Sequence, residues 1–267
     1  MKKILTTAIL CAGLVGFTAC DSFLDEEPKS SLTLDTYYKT SADIIGNVNY
    51  LYRDGAPDKM GNMTGAYRGS SLSVMNMVTG YFVNEYEGQE VDCSYARQLT
   101  RQDFTQSCCN YLTNDTWKSC YKSINVANAV IKYVDGVEMD NQAQYKAEAR
   151  FFRALNYFYL VKMFGDVPMV TEPTEDATLV EYPTRTAASE VFNTVIIPDL
   201  QFAVENLPNA TFAGNSHRVT KYAADMLLAD VYMRLGEYAN AVTPLKDVIN
   251  SGKFALATND NLTEGSA

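Results

Sequence analysis

The chain has 267 residues, a formal net charge of −10, 47% hydrophobic residues and a single histidine. That acidity excludes a nucleic-acid partner, which needs basic patches to displace phosphate counterions, and one histidine excludes a multi-histidine metal centre. The sequence has no P-loop, GxSxG or HExxH element, so no catalytic fingerprint or cofactor is expected.

Lys2 and Lys3 precede an apolar stretch from Ile4 to Phe17, and Phe17-Thr18-Ala19-Cys20 follows. An apolar run of about 14 residues is too short to span a bilayer and fits a secretory signal. Small residues directly before a cysteine are the pattern of a lipoprotein signal. Residues 1–19 are therefore expected to be the signal peptide and Cys20 the acylated first residue of the mature protein. Loss of Lys2 and Lys3 would take the charge from −10 to −12. Acyl chains contribute about 0.8 kcal/mol per buried methylene, so a multiply acylated cysteine anchors without a transmembrane helix. Residues 20–35, acidic and containing Pro28, read as a tether.

Cys11 lies in the signal, which leaves Cys93, Cys108, Cys109 and Cys120. An exported compartment permits disulfides. Adjacent Cys108 and Cys109 rarely bridge to each other, so either Cys93 or Cys120 joins one of them or the thiols stay unpaired. Without a CxxC element no zinc site is expected.

Helical periodicity begins near Thr36 and runs through Ile44, Val48 and Leu51 to Arg53, where Asp54-Gly55-Ala56-Pro57 stops it. Residues 55–110 lack a period and mix Gly, Asn and Ser with Met and Tyr. Asp115 or Thr116 can cap a helix carrying Trp117, Tyr121, Ile124, Ala127 and Ile131. In that helix Trp117 reads as a core residue. A second helix is predicted over 140–164, with Ala147, Phe151, Ala154, Leu155, Phe158 and Val161 on a broad apolar face. Gly165-Asp166-Val167-Pro168 ends it, and a loop runs to Pro183. A helix over 187–206 should be interrupted or kinked near Pro198, because proline cannot donate the helical hydrogen bond.

The last helix pair, 220–251 around Gly236, carries the sharpest pattern. With Tyr222 as position one, Leu228, Ala229, Tyr232, Gly236, Tyr238, Ala241, Leu245 and Val248 fall on the tetratricopeptide register. Ala229 and Ala241 mark a close approach of two helices, Leu228, Tyr232 and Leu245 fill the groove, and Gly236 makes the turn. Residues 114–164 read as a more divergent pair of the same kind. The predicted class is all-α: helical-hairpin repeats with an irregular, loop-rich insertion.

Chemistry points to binding rather than catalysis. His217, at a helix entrance, reads as a surface or capping residue. The carboxylates Glu85 and Glu87, and those from Asp25 to Glu27, read as solvated charge rather than a glycosidase pair held across a cleft. In the irregular stretch, Tyr81, Asn84, Tyr86, Asp92, Tyr95 and Arg97 combine flat aromatic faces for pyranose stacking with groups that bind hydroxyls. They are the candidate ligand residues.

Four segments resemble the SusD/RagB family of Bacteroidetes-type outer-membrane lipoproteins. They are Cys20-Asp21-Ser22-Phe23-Leu24-Asp25; Tyr37-Tyr38-Lys39-Thr40-Ser41-Ala42-Asp43; Ala147-Glu148-Ala149-Arg150-Phe151-Phe152-Arg153-Ala154 continuing to Phe164-Gly165-Asp166-Val167-Pro168; and His217-Arg218-Val219-Thr220-Lys221 leading into the repeat. The resemblance implies tetratricopeptide-like hairpins, no catalysis, and a lipoprotein facing the cell surface. It further implies a lid on a SusC-like TonB-dependent barrel, to which the protein delivers an oligosaccharide or, in some members, a peptide. It also implies that residues 36–267 are the N-terminal part of a fold whose C-terminal half is absent here, so an apolar face is expected to lie open on the final repeat.

Overall fold

The computed structural model describes residues 34–54, 115–174 and 183–256, with residues 79–80, 98 and 100–102 between them. Two compact units result, Met1–Tyr37 and Tyr38–Ala267. In the first, the described part is one short helix, α1 (Leu34–Tyr37). The second holds the remaining elements and is mainly helical, as the periodicities require.

Helix α2 (Ser41–Asp54) starts later than its periodicity suggests. Thr40 stops the pattern from running back. Its Oγ1 accepts from the Asp43 N–H at 3.4 Å, and Asp43 Oδ2 accepts from the Thr40 N–H at 2.8 Å. This reciprocal box satisfies two donors that a helix start would leave open, and it fixes the boundary at Ser41. Ile44, Val48 and Leu51 are fully buried, as their spacing demands.

Helix α3 (Asp115–Tyr133) takes Asp115 and Thr116 into its first turn, so neither is a preceding cap. It runs antiparallel to α2: Tyr38 stacks on Tyr133 at 5.1 Å, and Lys122 Nζ lies 5.4 Å from the Tyr50 ring. Residues 55–114 therefore leave and rejoin this pair at the same end. Trp117 is half-buried, edge-on to Phe164 at 5.2 Å, and so less deeply placed than expected.

Helix α4 (Gln142–Phe164) is entered through Asn141 in the left-handed region and closed by Gly165 at φ +68°. It starts two residues later than predicted. Its neighbours are α2, α3 and the helices after residue 187, and it is buried on nearly every side. Ala147, Phe151, Ala154, Phe158 and Val161 are buried as expected, but so are Glu148, Arg153 and Asn156, while Leu155 is only half-buried. After Gly165 the chain forms a two-residue strand, β1 (Val167–Pro168), antiparallel to β2 (Arg185–Thr186). A strand of two residues has no period to read, and the sequence gives only a loop there.

The predicted interruption near Pro198 takes a specific form. Helix α5 (Ala188–Val191) continues through a π-helical segment (Phe192–Ile196) into α6 (Ile197–Asn206). Proline has no N–H, and its ring would crowd the carbonyl four residues back. One wider turn just ahead of Pro198 absorbs the mismatch without breaking the helix.

Helices α7 (Lys221–Arg234) and α8 (Tyr238–Asn250) form the expected hairpin. Gly236 has φ +76°, the Glu237 N–H donates to Tyr232 O at 2.8 Å, and the Gly236 N–H donates to Met233 O at 3.1 Å. That pair of bonds is a Schellman motif, which needs a left-handed residue at this place. Ala229 and Ala241 are buried in this hairpin, as are Leu228 and Tyr232. Leu245 is only half-buried and Tyr238 is 70% exposed, so these two do not fill the internal groove. With Val242 and Ile249 they form an outward apolar stripe spaced four, three and four residues apart.

Candidate functional site

Tyr81, Asn84, Tyr86, Asp92, Tyr95 and Arg97 all lie outside the described residues, as do Cys20, Cys93, Cys108 and Cys109. The structure does describe the two helices between which residues 55–114 are strung, and the polar machinery at their feet.

The first cluster surrounds Glu148, whose carboxylate is completely buried in α4. It accepts from Arg218 Nε at 3.0 Å to each oxygen, from Arg218 Nη2, from the Tyr52 hydroxyl at 2.9 Å and from Gln144 Nε2 at 3.0 Å. Arg218 Nη1 donates to Asn49 Oδ1 at 2.9 Å, and the Tyr52 hydroxyl accepts from the Val219 N–H at 2.9 Å. The guanidinium is flanked by the rings of Tyr52 and Tyr145, at 4.7 and 5.3 Å. Burial pushes the Tyr52 phenol far above its ordinary range, and the adjacent Glu148 charge adds to this. Burial works against the Arg218 charge, but Glu148 more than offsets it and holds the guanidinium above its usual value. The cluster thus ties the end of α2 and the entrance to α7 onto α4.

The second cluster ties α3 and α6 to the same helix. Arg153 grips Asp199 with two bonds, Nε to Oδ2 at 2.7 Å and Nη2 to Oδ1 at 2.9 Å, and reaches Asn128 Oδ1 at 2.9 Å. Asn128 Nδ2 in turn donates to the Val170 and Glu172 carbonyls at 3.0 and 3.2 Å. Burial raises the Asp199 carboxyl, and Arg153 with Arg150 opposes that rise. Neither cluster presents a free acid–base pair to a cavity. Both are joints.

Among the described residues, two recesses stand out. One, about 720 Å³, is lined by Ser41, Ile45, Glu138, Met139, Asp140, Asn141 and Tyr145 and is acidic. The other, about 380 Å³, is lined by Asn49, Tyr52, Arg53, Ser216, His217 and Arg218 and is basic. His217 lies on the surface, as expected. It has φ 62°, directly after Ser216 at φ 52°, and meets the Phe212 ring edge-on at 5.2 Å. Cys120 is a free, fully buried thiol, and burial pushes its pKa up to about 12. Among the described residues no three His, Cys, Asp or Glu side chains gather as metal ligands, and no helix is long and apolar enough to cross a membrane.

Periodicity alone misses Tyr52, Glu148, Arg153, Asp199 and Arg218. The available signal was a charge set inside an apolar run: Glu148 between Ala147 and Ala149, and Arg153 between Phe152 and Ala154. Such a charge, if buried, must have a partner from elsewhere in the chain.

Comparison with known proteins adds to this geometry. Residues 22–233 match the family model SusD-like_3, described as "Starch-binding associating with outer membrane". The SusD-like protein P2 of Formosa agariphila is 29% identical over 254 residues, covering 94% of this chain and 47% of that protein. A SusD-like protein of Bacteroides ovatus is 29% identical over 248 residues, covering 90% of this chain and 40% of the relative. The chain therefore spans about half the length of the curated relatives it matches. Among solved structures, a SusD superfamily protein of Parabacteroides distasonis superposes with a TM-score of 0.64 at 26% identity, covering 80% of this chain and 45% of the other. A laminarin-binding SusD-like protein shares the fold, with a TM-score of 0.62 at 24% identity over 78% of this chain and 43% of that one.

Proposed function

This chain belongs to the SusD-like family of outer-membrane-associated starch-binding proteins, and from that premise we propose that it captures a glycan by binding it, without cleaving it. The observation that carries the reading is the family match over residues 22–233, which includes α2, α3 and the stretch between them. In that stretch the aromatic and polar residues Tyr81, Asn84, Tyr86, Asp92, Tyr95 and Arg97 are the proposed ligand contacts. Sugar recognition there needs no titrating side chain and no metal. Stacking on a tyrosine face and bonds from amide, carboxylate and guanidinium groups are sufficient.

The lipid anchor at Cys20, the surface-facing position and delivery of the glycan to a SusC-like TonB-dependent barrel belong to the same proposal. Calorimetry of the purified chain against oligosaccharides of different backbones tests the binding step. Saturable binding to at least one, weakened at least tenfold by a paired Tyr81→Ala and Tyr86→Ala substitution, is the expected result. Binding to peptides alone would reject the glycan and leave a peptide-capturing member of the family. Cys20→Ser should release the protein from the membrane fraction. Retention there would remove the anchor.

A further inference from the structure

The larger recess lies away from the point where the stretch assigned to the glycan departs. Ser41 and Ile45 line it from the first turns of α2, whereas that stretch leaves α2 after Asp54. With a rise of about 1.5 Å per residue, the two ends of this helix lie ~20 Å apart. The rest of the lining comes from the entrance to α4 and its first turn, ending at Tyr145. A volume of about 720 Å³ falls within the range of ligand sites, roughly 300 to 1,000 Å³. The two ion-pair joints leave its polar groups unused. Among the described residues, the side chains of Ser41, Glu138, Asp140 and Asn141 and the Tyr145 hydroxyl make no hydrogen bond or ion pair.

These groups supply both halves of the bonding that a sugar hydroxyl needs. The Glu138 and Asp140 carboxylates only accept, while the Asn141 amide and the two hydroxyls donate as well as accept. The half-buried Tyr145 ring, with Ile45 and Met139, gives the apolar surface on which a pyranose face can lie. Two carboxylates are too few for a calcium cage, and among the described residues no three His, Cys, Asp or Glu side chains gather. The lining suits a ring that carries hydroxyls.

The lining is also fixed before a ligand arrives. Gln142 Nε2 donates to the Val134 and Val137 carbonyls at 2.7 and 3.0 Å, and the Val137 N–H donates to Val134 O at 3.2 Å, which ties down the turn ahead of Glu138. Asn141 holds left-handed backbone at φ 56°, and its carbonyl accepts from the Tyr145 N–H at 3.1 Å. The Arg218 guanidinium, itself held by Glu148, braces the Tyr145 ring at 5.3 Å. Groups ordered in advance bind at a lower entropic cost. We propose that this recess is a second sugar-binding site, taking one neutral pyranose unit against Tyr145 with its hydroxyls held by Glu138, Asp140 and Asn141. The inference rests on the glycan-capturing reading and gives the glycan a second point of contact.

The test uses the full chain, with maltohexaose, laminarihexaose and cellohexaose as neutral probes and trilysine as a cationic one. One variant is the Tyr81→Ala, Tyr86→Ala pair. The other carries Glu138→Ala, Asp140→Ala and Asn141→Gly. Glycine takes the left-handed backbone at no steric cost, and Tyr145 stays in place because it flanks Arg218. Calorimetry should show that at least one hexasaccharide keeps a binding step on the tyrosine pair variant. Adding the recess substitutions to that variant should weaken this step at least tenfold. Saturation with the same sugar should slow hydrogen exchange over residues 137–145, and should no longer do so once the recess is altered. A binding step untouched by the recess substitutions, a step lost altogether with the tyrosine pair, or bound sugar that leaves residues 137–145 unprotected overturns the second site. Glycan capture then still stands. Protection there by trilysine and by no hexasaccharide overturns the sugar assignment. Failure of all three hexasaccharides to bind the unaltered chain overturns both readings.

Discussion

Helix α4 and the α7–α8 hairpin are both closely packed, but they are held in different ways. The hairpin buries small and apolar groups, Ala229 and Ala241 with Leu228 and Tyr232, around one left-handed glycine. Along α4 the apolar packing is interrupted by Glu148 and Arg153, each buried and each bound to a charge from a distant element. The lesson concerns distance along the chain. The hairpin is determined almost entirely within residues 220–251, whereas α4 is satisfied only when Tyr52, Asp199 and Arg218 arrive from other helices and loops.

Removing one partner from α4 should therefore cost the most. Glu148→Ala leaves Arg218 and the Tyr52 hydroxyl unpaired and should destabilise by about 3–5 kcal/mol in denaturant unfolding. A Glu148→Leu, Arg218→Met pair should recover much of that loss, since two apolar groups need no partners. If the double variant is as unstable as the sum of its parts, the contrast with the hairpin fails. Within the hairpin, Ala229→Leu should cost about 1–3 kcal/mol by overpacking the helix contact. Gly236→Ala should cost roughly 1–2 kcal/mol, because the open space around it does not relieve the left-handed backbone. The smallest effect is expected on the outward stripe, where Ile249→Ser should change stability by no more than about 0.5 kcal/mol. Cys120 offers a chemical check on the core: at pH 8 the native protein should resist alkylation there, as peptide mapping would show, because the buried thiol ionises only near about 12.

This division also explains what could be read in advance. Gly236, Ala229 and Ala241 predict the hairpin because their constraint is local and periodic. Pro198 predicts an interruption, though not its π-helical form, which depends on how neighbouring carbonyls make room. The start of α2 was written in Thr40 and Asp43, an aspartate standing where glutamate is usual, and apolar spacing alone overran it. Tyr238 sits on the repeat register yet faces outward, because register assigns a position to a helix face but not the neighbour covering it. Charges such as Glu148 and Asp199 have no periodic signature. Their partners lie 70 and 46 residues away, and only the folded chain brings them together. The proposed sugar contacts rest on chemical type and on the family resemblance, and they fall in the stretch with no period to guide placement.

The antiparallel α2–α3 pair has a consequence for how such a protein can diversify. Because the end of α2 and the start of α3 lie together, the scaffold sets two neighbouring anchor points for the chain between them. The entropy of closing a flexible loop rises by roughly 0.6 kcal/mol for each doubling of its length. On that scale, a change in the length of the connection between the two anchors costs little in closure entropy, while α4 and its ion pairs stay untouched. New selectivity could then be tried out in a replaceable cassette mounted on an unchanging frame.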